Sequence, residues 1–403
     1  MIKKEHIKYI DGDERNGVEY DWPKIYKEYG KLKTPRDTFD PRTAPVTLAD
    51  ILMYVSKRSK GKTTNWLLIG MIMYLMYGTR IPYIRTDKAM IKPKTANEIF
   101  NVIKTFRDGW YIKDMTGGKF NNIYYKWGKM YLCFIDENGV RTDTDVEPFF
   151  YFLSIDQHEL YKSTLNIPMG DLIIVDEYIE ESGRISDFVN FWDLFRTIQR
   201  DRLSVKVIFL ANTTDPNNIW FRDFCISSEV KSVKPGEHKL IDVNGTKIFF
   251  EYIDLKLSER TVKMISKYFG FAKGNPRMAH LVETEAPWSF KPVPHINYED
   301  SDKYLDRTVR IRANDLETLQ VELVEKKNGI LCCYVHPCTI DYDDSIFLTL
   351  SDIKEPNEYW GLGHGKYFDF LWKLYQRNLW YYSDNETGAL VESYVKNYRQ
   401  LKK

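Results

Sequence analysis

The sequence predicts an α/β fold: a mostly parallel β-sheet flanked by helices, with a smaller α+β domain behind it. Three observations carry that prediction. From about residue 48 to 256, short apolar runs alternate with helical stretches. One run, Leu172-Ile173-Ile174-Val175, is apolar at four consecutive positions, as a strand buried on both faces of a parallel sheet must be. The basic segment from Ser56 to Thr63 joins a short apolar run (Leu52-Met53-Tyr54-Val55) to a long one (Trp66 to Tyr77), in strand–loop–helix order.

Taken in chain order, residues 1–47 are polar and proline-bearing and read as an N-terminal extension lying on the first domain. The α/β domain spans 48–256, with strands expected at 52–55, 81–85, 172–175 and 205–210. Trp66 to Tyr77 contains Gly70 and is far shorter than the ~20 residues of a membrane span, so it reads as a core helix. Ile123 to Ile135 alternates aromatic residues and ends at Asp136-Glu137-Asn138-Gly139, which predicts a hairpin. A helix begins near Ser186, and Phe188, Trp192 and Phe195, at i, i+4 and i+7, are its expected buried face. A helical stretch at 258–270 and Pro287, Pro292 and Pro294 make 257–295 a linker. Within 296–403, strand-like runs at 319–324, 330–335 and 346–350 precede two helices.

Composition narrows the function classes. The chain has 403 residues, enough for two or three cores, and a hydrophobic content of 43% that excludes a disordered protein. A net charge of +1 means that any polyanion must be met by a local patch. The five cysteines show no repeated spacing, and Met1-Ile2-Lys3-Lys4-Glu5-His6 is no secretory signal. A reduced, soluble intracellular protein is the expectation.

The chemistry lies in two motifs. Ser56-Lys57-Arg58-Ser59-Lys60-Gly61-Lys62-Thr63 has the form of a phosphate-binding loop. Gly61 lets backbone N–H groups curl round a phosphate, Lys62 reaches the terminal phosphates, and the Thr63 hydroxyl can ligate Mg²⁺. With Thr64 these residues form the expected nucleotide-binding set, the ligands being ATP and Mg²⁺. Ser56 stands where a leading glycine is usual, and a basic turn capping a buried helix is the plain alternative. The second motif is Asp176-Glu177, at the end of the 172–175 strand, the edge where α/β sheets bind ligands. Asp176 is suited to hold the metal's water shell and Glu177 to orient and deprotonate the attacking water. Together the motifs predict a nucleoside triphosphatase of the P-loop class with a catalytic glutamate (ASCE-type).

With these residues in place, the chain from about residue 38 onward resembles the DNA-packaging ATPases of small short-tailed bacteriophages. The resemblance rests on Arg58 within the Gly-Lys-Thr loop, Tyr83-Ile84-Arg85 followed by Lys88, and Lys162-Ser163. It continues through Val175-Asp176-Glu177-Tyr178, Phe195-Arg196 and Leu210-Ala211-Asn212. It departs at Ser56 and Ser59 and in extra residues between Arg196 and the Val205 strand. It implies that Asn212 senses the γ-phosphate or lytic water, the alternative being a turn residue. It implies that Arg196 acts as an arginine finger on a neighbouring subunit, with Arg200 as second candidate and a salt bridge to Asp193 or Asp201 as the rival reading. Arg85 and Lys88 would contact nucleotide on the adjacent subunit, unless they are surface charge. Lys162, in the polar segment Asp156 to Ser163, would grip DNA phosphates in a ring's pore.

The resemblance also implies a homo-oligomeric ring, a pentamer, acting in the host cytoplasm on double-stranded DNA at the portal vertex of a phage prohead. A structural RNA is a further candidate partner, and no membrane is involved. The C-terminal domain would be ribonuclease-H-like without nuclease activity, because Asp341, Asp343 and Asp344 cluster in one turn whereas a two-metal site draws on separate elements. Lys366, Lys373 and Arg377 are candidate contacts there. Cys332-Cys333-Tyr334-Val335-His336-Pro337-Cys338 lacks a second ligand cluster and reads as buried cysteines on a strand. The rival functions are a helicase or other ring ATPase of replication or partition, and a non-catalytic scaffold with a degenerate loop.

Overall fold

The computed structural model describes residues 1–34, 38–56, 61–105, 110–162, 164–179, 186–212, 216–255, 263, 266–267, 293–295, 303–312, 318–339, 346–349, 358–360 and 365–401. It divides into two compact units, Met1–Thr213 with Glu229–Val262, and Thr214–Ser228 with Lys263–Lys403.

The first unit is built on a 10-stranded sheet. Its elements run α1 (Trp22–Lys31), β1 (Ile51–Ser56), α2 (Lys62–Tyr77), β2 (Ile81–Arg85), α3 (Pro93–Ile99), α4 (Asn101–Thr105) and α5 (Trp110–Thr116). Then come β3 (Asn122–Lys126), β4 (Lys129–Ile135), β5 (Arg141–Thr144), β6 (Phe150–Ser154), α6 (His158–Tyr161), β7 (Leu172–Asp176) and α7 (Ser186–Gln199). β8 (Lys206–Asn212), β9 (His238–Val243) and β10 (Thr246–Ile253) complete it. The strand order is β3-β4-β6-β2-β7-β8-β1-β10-β9, with β5 on β4. The six strands from β6 to β10 are mutually parallel, and the antiparallel pairings lie at the two margins.

The parallel centre follows from the apolar runs. Every residue of β1, β2 and β7 is buried, which only a sheet covered on both faces allows. The four expected strands are β1, β2, β7 and β8. Strands β6, β9 and β10 had no counterpart in the sequence reading, although Phe150 to Ser154 is buried throughout. The expected hairpin is two. β3 and β4 turn at Trp127–Gly128, both in the left-handed region, and β4 and β5 turn at Asp136–Gly139. Helix α2 begins earlier than its apolar run suggests, at Lys62, and is apolar on all sides. Gly61 and Gly78, at φ of 75° and 81°, bracket it. On α7 the buried residues are Asp187, Phe191, Leu194 and Ile198; the expected face of Phe188, Trp192 and Phe195 is only half-buried.

Residues of the N-terminal stretch are part of this unit's core. Trp22, Ile25 and Tyr29 of α1 are buried in the same cluster as Trp66 to Tyr77. Asp171, 1% exposed, accepts hydrogen bonds from Tyr20 (2.9 Å), Arg202 (2.6 Å) and Ser204 (2.7 Å). A buried carboxylate needs that many donors to offset its desolvation. Arg202 is thereby a structural residue.

In the second unit, β11 (Lys303–Arg312), β12 (Thr318–Glu325) and β13 (Leu331–Pro337) are antiparallel. β14 (Ile346–Thr349), β15 (Glu358–Trp360) and β16 (Trp380–Tyr382) add parallel pairings, in the order β15-β14-β11-β12-β13-β16. Helices Gly365–Gln376 and Asn385–Leu401 contribute Leu371, Leu374, Val391 and Tyr394 to a core with Val321, Val335 and Trp380. The expected strands at 319–324, 330–335 and 346–350 are β12, β13 and β14. Cys332 and Cys333 are buried on β13, and neither is in a disulfide. Lys366, Lys373 and Arg377 are exposed. Asp341, Asp343 and Asp344 and nearly all of the expected linker 257–295 lie outside the described residues. No described helix is long and apolar enough to cross a membrane.

Candidate nucleotide-binding site

The sheet order brings the two motifs together. β8 lies between β1 and β7, so the strand entering the basic loop and the strand ending in the two carboxylates are next-nearest neighbours, pointing the same way. Lys57, Arg58, Ser59 and Lys60 lie outside the described residues; Ser56 and Gly61 to Thr64 are described. Gly61 is required where it stands. Its φ of 75° is left-handed, and a Cβ would lie 3.0 Å from Thr38 Cβ and 3.2 Å from Asn65 Nδ2. Asn65 is itself held, donating to the Phe39 carbonyl at 2.6 Å and accepting from the Tyr29 hydroxyl at 2.9 Å. The N-terminal stretch thus braces the start of α2, a role the sequence reading did not give it.

Lys62 is 7% exposed and donates to the Ser56 hydroxyl. The serine at the usual glycine position is therefore a ligand of the loop's own lysine. The Thr63 hydroxyl donates to Asp176 Oδ2 at 3.0 Å, joining residues 113 positions apart in sequence. One hydroxyl and one carboxylate make an oxygen donor pair of the kind Mg²⁺ accepts beside water and substrate phosphates, so these residues fit that ion.

Glu177 follows Asp176 with φ of 53°, a left-handed conformation that is costly for a residue with a Cβ. Its backbone N–H is fixed on the Leu210 carbonyl at 2.8 Å. Its side chain is 43% exposed and accepts from Arg85. Arg85, at the end of β2, is buried; its Nη2 lies 3.2 Å from Asp176 Oδ2 and its Nε donates to the Tyr83 hydroxyl at 3.0 Å. Tyr83 in turn donates to Asp176 Oδ2 at 2.5 Å. Burial alone would lower the Arg85 pKa, but Tyr83, Asp176 and Glu177 more than offset it and hold the guanidinium charged. Burial, then the Asp176 charge, pushes the Tyr83 hydroxyl well above its ordinary range, so it remains a donor.

Tyr83 joins this cluster through Asp176 and Arg85, a contact not expected from the sequence. It lies two positions before Arg85, on the same face of β2, and that period of two was the available signal. Arg85 and Lys88 separate: Arg85 turns onto the acidic pair of its own chain, whereas Lys88 is exposed, its backbone N–H 3.2 Å from Asp156 Oδ2. Asn212 ends β8 in register with Ser56, beside the loop, and Leu210 pairs with Asp176.

The remaining predicted residues stand apart from this cluster. Arg196 is exposed on α7 and forms no ion pair among the described residues; Asp193 pairs instead with Lys162. Arg200 is anchored, donating to the Leu165 carbonyl at 2.8 Å and Asn166 Oδ1 at 3.3 Å. Lys162 follows α6, and its ammonium lies 2.7 Å from Glu159 and 3.3 Å from Asp193. The expected polar loop is thus a short helical turn whose lysine is held between carboxylates. Those partners raise its pKa, the Glu159 hydrogen bond most.

No protein-family model matches the chain, and no curated protein matches it. Among solved structures, the chain is similar to the Phi-28 gp11 DNA packaging motor, at 16% identity and a TM-score of 0.52, covering 91% of this chain and 99% of that one. It is also similar to the bacteriophage Phi-29 viral genome packaging motor assembly, at 16% identity and a TM-score of 0.54, covering 90% and 99%. At that identity the likeness establishes a shared fold along nine-tenths of the chain: a large, mostly parallel α/β sheet with a second sheet domain.

Proposed function

We propose that this chain is an ATP-driven double-stranded DNA translocase that fills a phage prohead, acting as a homo-oligomeric ring, with a pentamer expected at the portal vertex in the host cytoplasm. The observation that carries the reading is the meeting of Thr63, Asp176 and Glu177 at the carboxyl edge of one parallel sheet. The fold shared with phage packaging motors supports the DNA substrate and the ring.

In this reading Lys62, released from Ser56, takes the terminal phosphates of ATP. Thr63 and Asp176 would hold Mg²⁺, which would supply positive charge beside the phosphates. Glu177 orients the attacking water and accepts its proton, which requires Arg85 to loosen its hold on that carboxylate. Asn212, at the end of the intervening strand, hydrogen-bonds the γ-phosphate or the water. Arg196, exposed on α7, reaches the neighbouring subunit's γ-phosphate, where such a group is worth ~10³–10⁵ in rate. Lys162 contacts DNA phosphate once its carboxylate partners give way, and the second unit, without nuclease activity, docks on DNA, RNA or portal.

The test is ATP turnover, with DNA present, by the wild type, Lys62→Ala and Glu177→Gln, together with DNA protection by proheads plus this protein and ATP. Lys62→Ala should lose nucleotide affinity, and Glu177→Gln should bind ATP without hydrolysing it. Absent turnover by an assembled wild-type ring would leave the scaffold reading in its place.

A further inference from the structure

We propose that the first unit carries a second nucleic-acid site, a groove that binds single-stranded DNA by stacking an unpaired base on Trp127. The groove has a volume of about 700 Å³ and lies between the β3–β4 turn and the segment 87–93. Its wall is aromatic, with Tyr125, Tyr151, Phe152 and Tyr161 among the lining residues.

Trp127 is the telling residue. It is 84% exposed, at the first position of a two-residue turn, with φ of 49°. Asn or Gly is favoured there, and a bulky ring in that conformation is strained and unpacked. The fold draws nothing from it that a small polar residue would not supply better. An exposed indole face does suit a base, every one of which has a π-face.

The charges agree. The Lys126 ammonium lies 4.5 Å from the Trp127 ring centroid, and the Lys129 ammonium 5.1 Å from that of Tyr151. Lys88 and Lys92 stand exposed on the opposite rim. Asp87 is the lining carboxylate, and the Ala89 N–H already occupies it at 2.6 Å. Lysines beside ring faces match a phosphate chain carrying accessible bases. A duplex keeps its base faces covered, and an acidic peptide would leave the rings unused. The lining rings and lysines address bases and phosphates. The choice of DNA over RNA rests on the translocase reading; the groove itself does not.

The experiment is anisotropy of fluorescein-labelled dT₁₂ with the full chain, without nucleotide, so that a failure of the ATPase reading leaves the result untouched. Trp127→Ala should weaken binding about five- to 150-fold, the range of one stacked base, while Trp127→Phe stays within a few-fold. Lys92→Ala and Lys129→Ala should each flatten the log–log salt slope by ~0.7. The urea midpoint of Trp127→Ala should match that of the wild type, which excludes misfolding as the cause. Unaltered binding by Trp127→Ala would overturn the site, as would an equal loss of blunt-duplex affinity in that variant or equal wild-type affinity for dTMP alone. A more than tenfold preference for rU₁₂ would overturn the assignment to DNA.

Discussion

Arg85 and Glu177 form an ion pair across the adjacent ends of β2 and β7, and the same guanidinium reaches Asp176 at 3.2 Å. The site's two carboxylates are consecutive in sequence, and one buried cation balances both. Arg85→Ala should therefore destabilise the chain by about 3–5 kcal/mol, the usual result of leaving a buried charge unpaired. Adding Glu177→Gln should restore part of that loss, because the variant has one negative charge fewer to accommodate. Urea midpoints of the wild type, both single variants and the double variant measure the coupling. Strict additivity would separate Arg85 from Glu177 energetically.

Arg196 and Arg200 should differ in kind. Arg196 has no ion-pair partner among the described residues, while Arg200 ties α7 to residues 165 and 166. Rings mixed from Arg196→Ala and Lys62→Ala subunits should recover turnover, since intact loops meet intact arginines. Arg200→Ala should instead lower the urea midpoint by the worth of hydrogen bonds from a charged donor, about 1.5–3 kcal/mol. No recovery at any mixing ratio, in verified mixed rings, would remove Arg196 from trans action.

Lys162 is held by Glu159 and Asp193, and those carboxylates compete with phosphate. Glu159→Gln combined with Asp193→Asn should strengthen DNA binding and steepen its salt dependence. Lys162→Ala should flatten that dependence by ~0.9 in log–log slope, the equivalent of a single phosphate, with basal turnover nearly intact. Identical slopes in all three proteins would take this segment off the DNA path.

Glu251 gives a pH dependence. It is on β10 in register with Tyr54, and burial pushes its carboxyl up to about 7 from an ordinary 4.5. Its Oε2 finds no hydrogen-bond partner among the described residues. The folded state then binds a proton that the unfolded state has lost. The favourable contribution is full below pH 4.5 and declines as pH rises to about 7. By that shift Glu251→Gln should gain up to about 3 kcal/mol over wild type at pH 8 and little at pH 4.5. Midpoints at several pH values check it, and a gain independent of pH would contradict it.

The fold class and the two motifs were legible because each is local. Continuous apolar runs at 52–55 and 172–175 suit strands covered on both faces, and Gly61-Lys62-Thr63 and Asp176-Glu177 carry their chemistry in adjacent residues. Strand β6 is not marked by a distinct pattern although Phe150 to Ser154 is wholly buried, and α7 buries Phe191 and Leu194 rather than Phe188 and Trp192. Aromatic residues crowd both stretches, so several stripes look equally apolar until a neighbour covers one.

By itself, then, the sequence determined which residues could bind phosphate, ligate a metal or activate water, since those capacities belong to side-chain types at fixed short spacings. Only the tertiary structure decided what each of them touches. The hydroxyl of Ser56 on Lys62, Tyr83 and Arg85 on Asp176, the bracing of Asn65 by Tyr29 and Phe39, and the carboxylates round Lys162 all join residues brought together by strand order and helix packing. Such contacts depend on register and distance across the sheet, which a linear pattern of residue types does not encode.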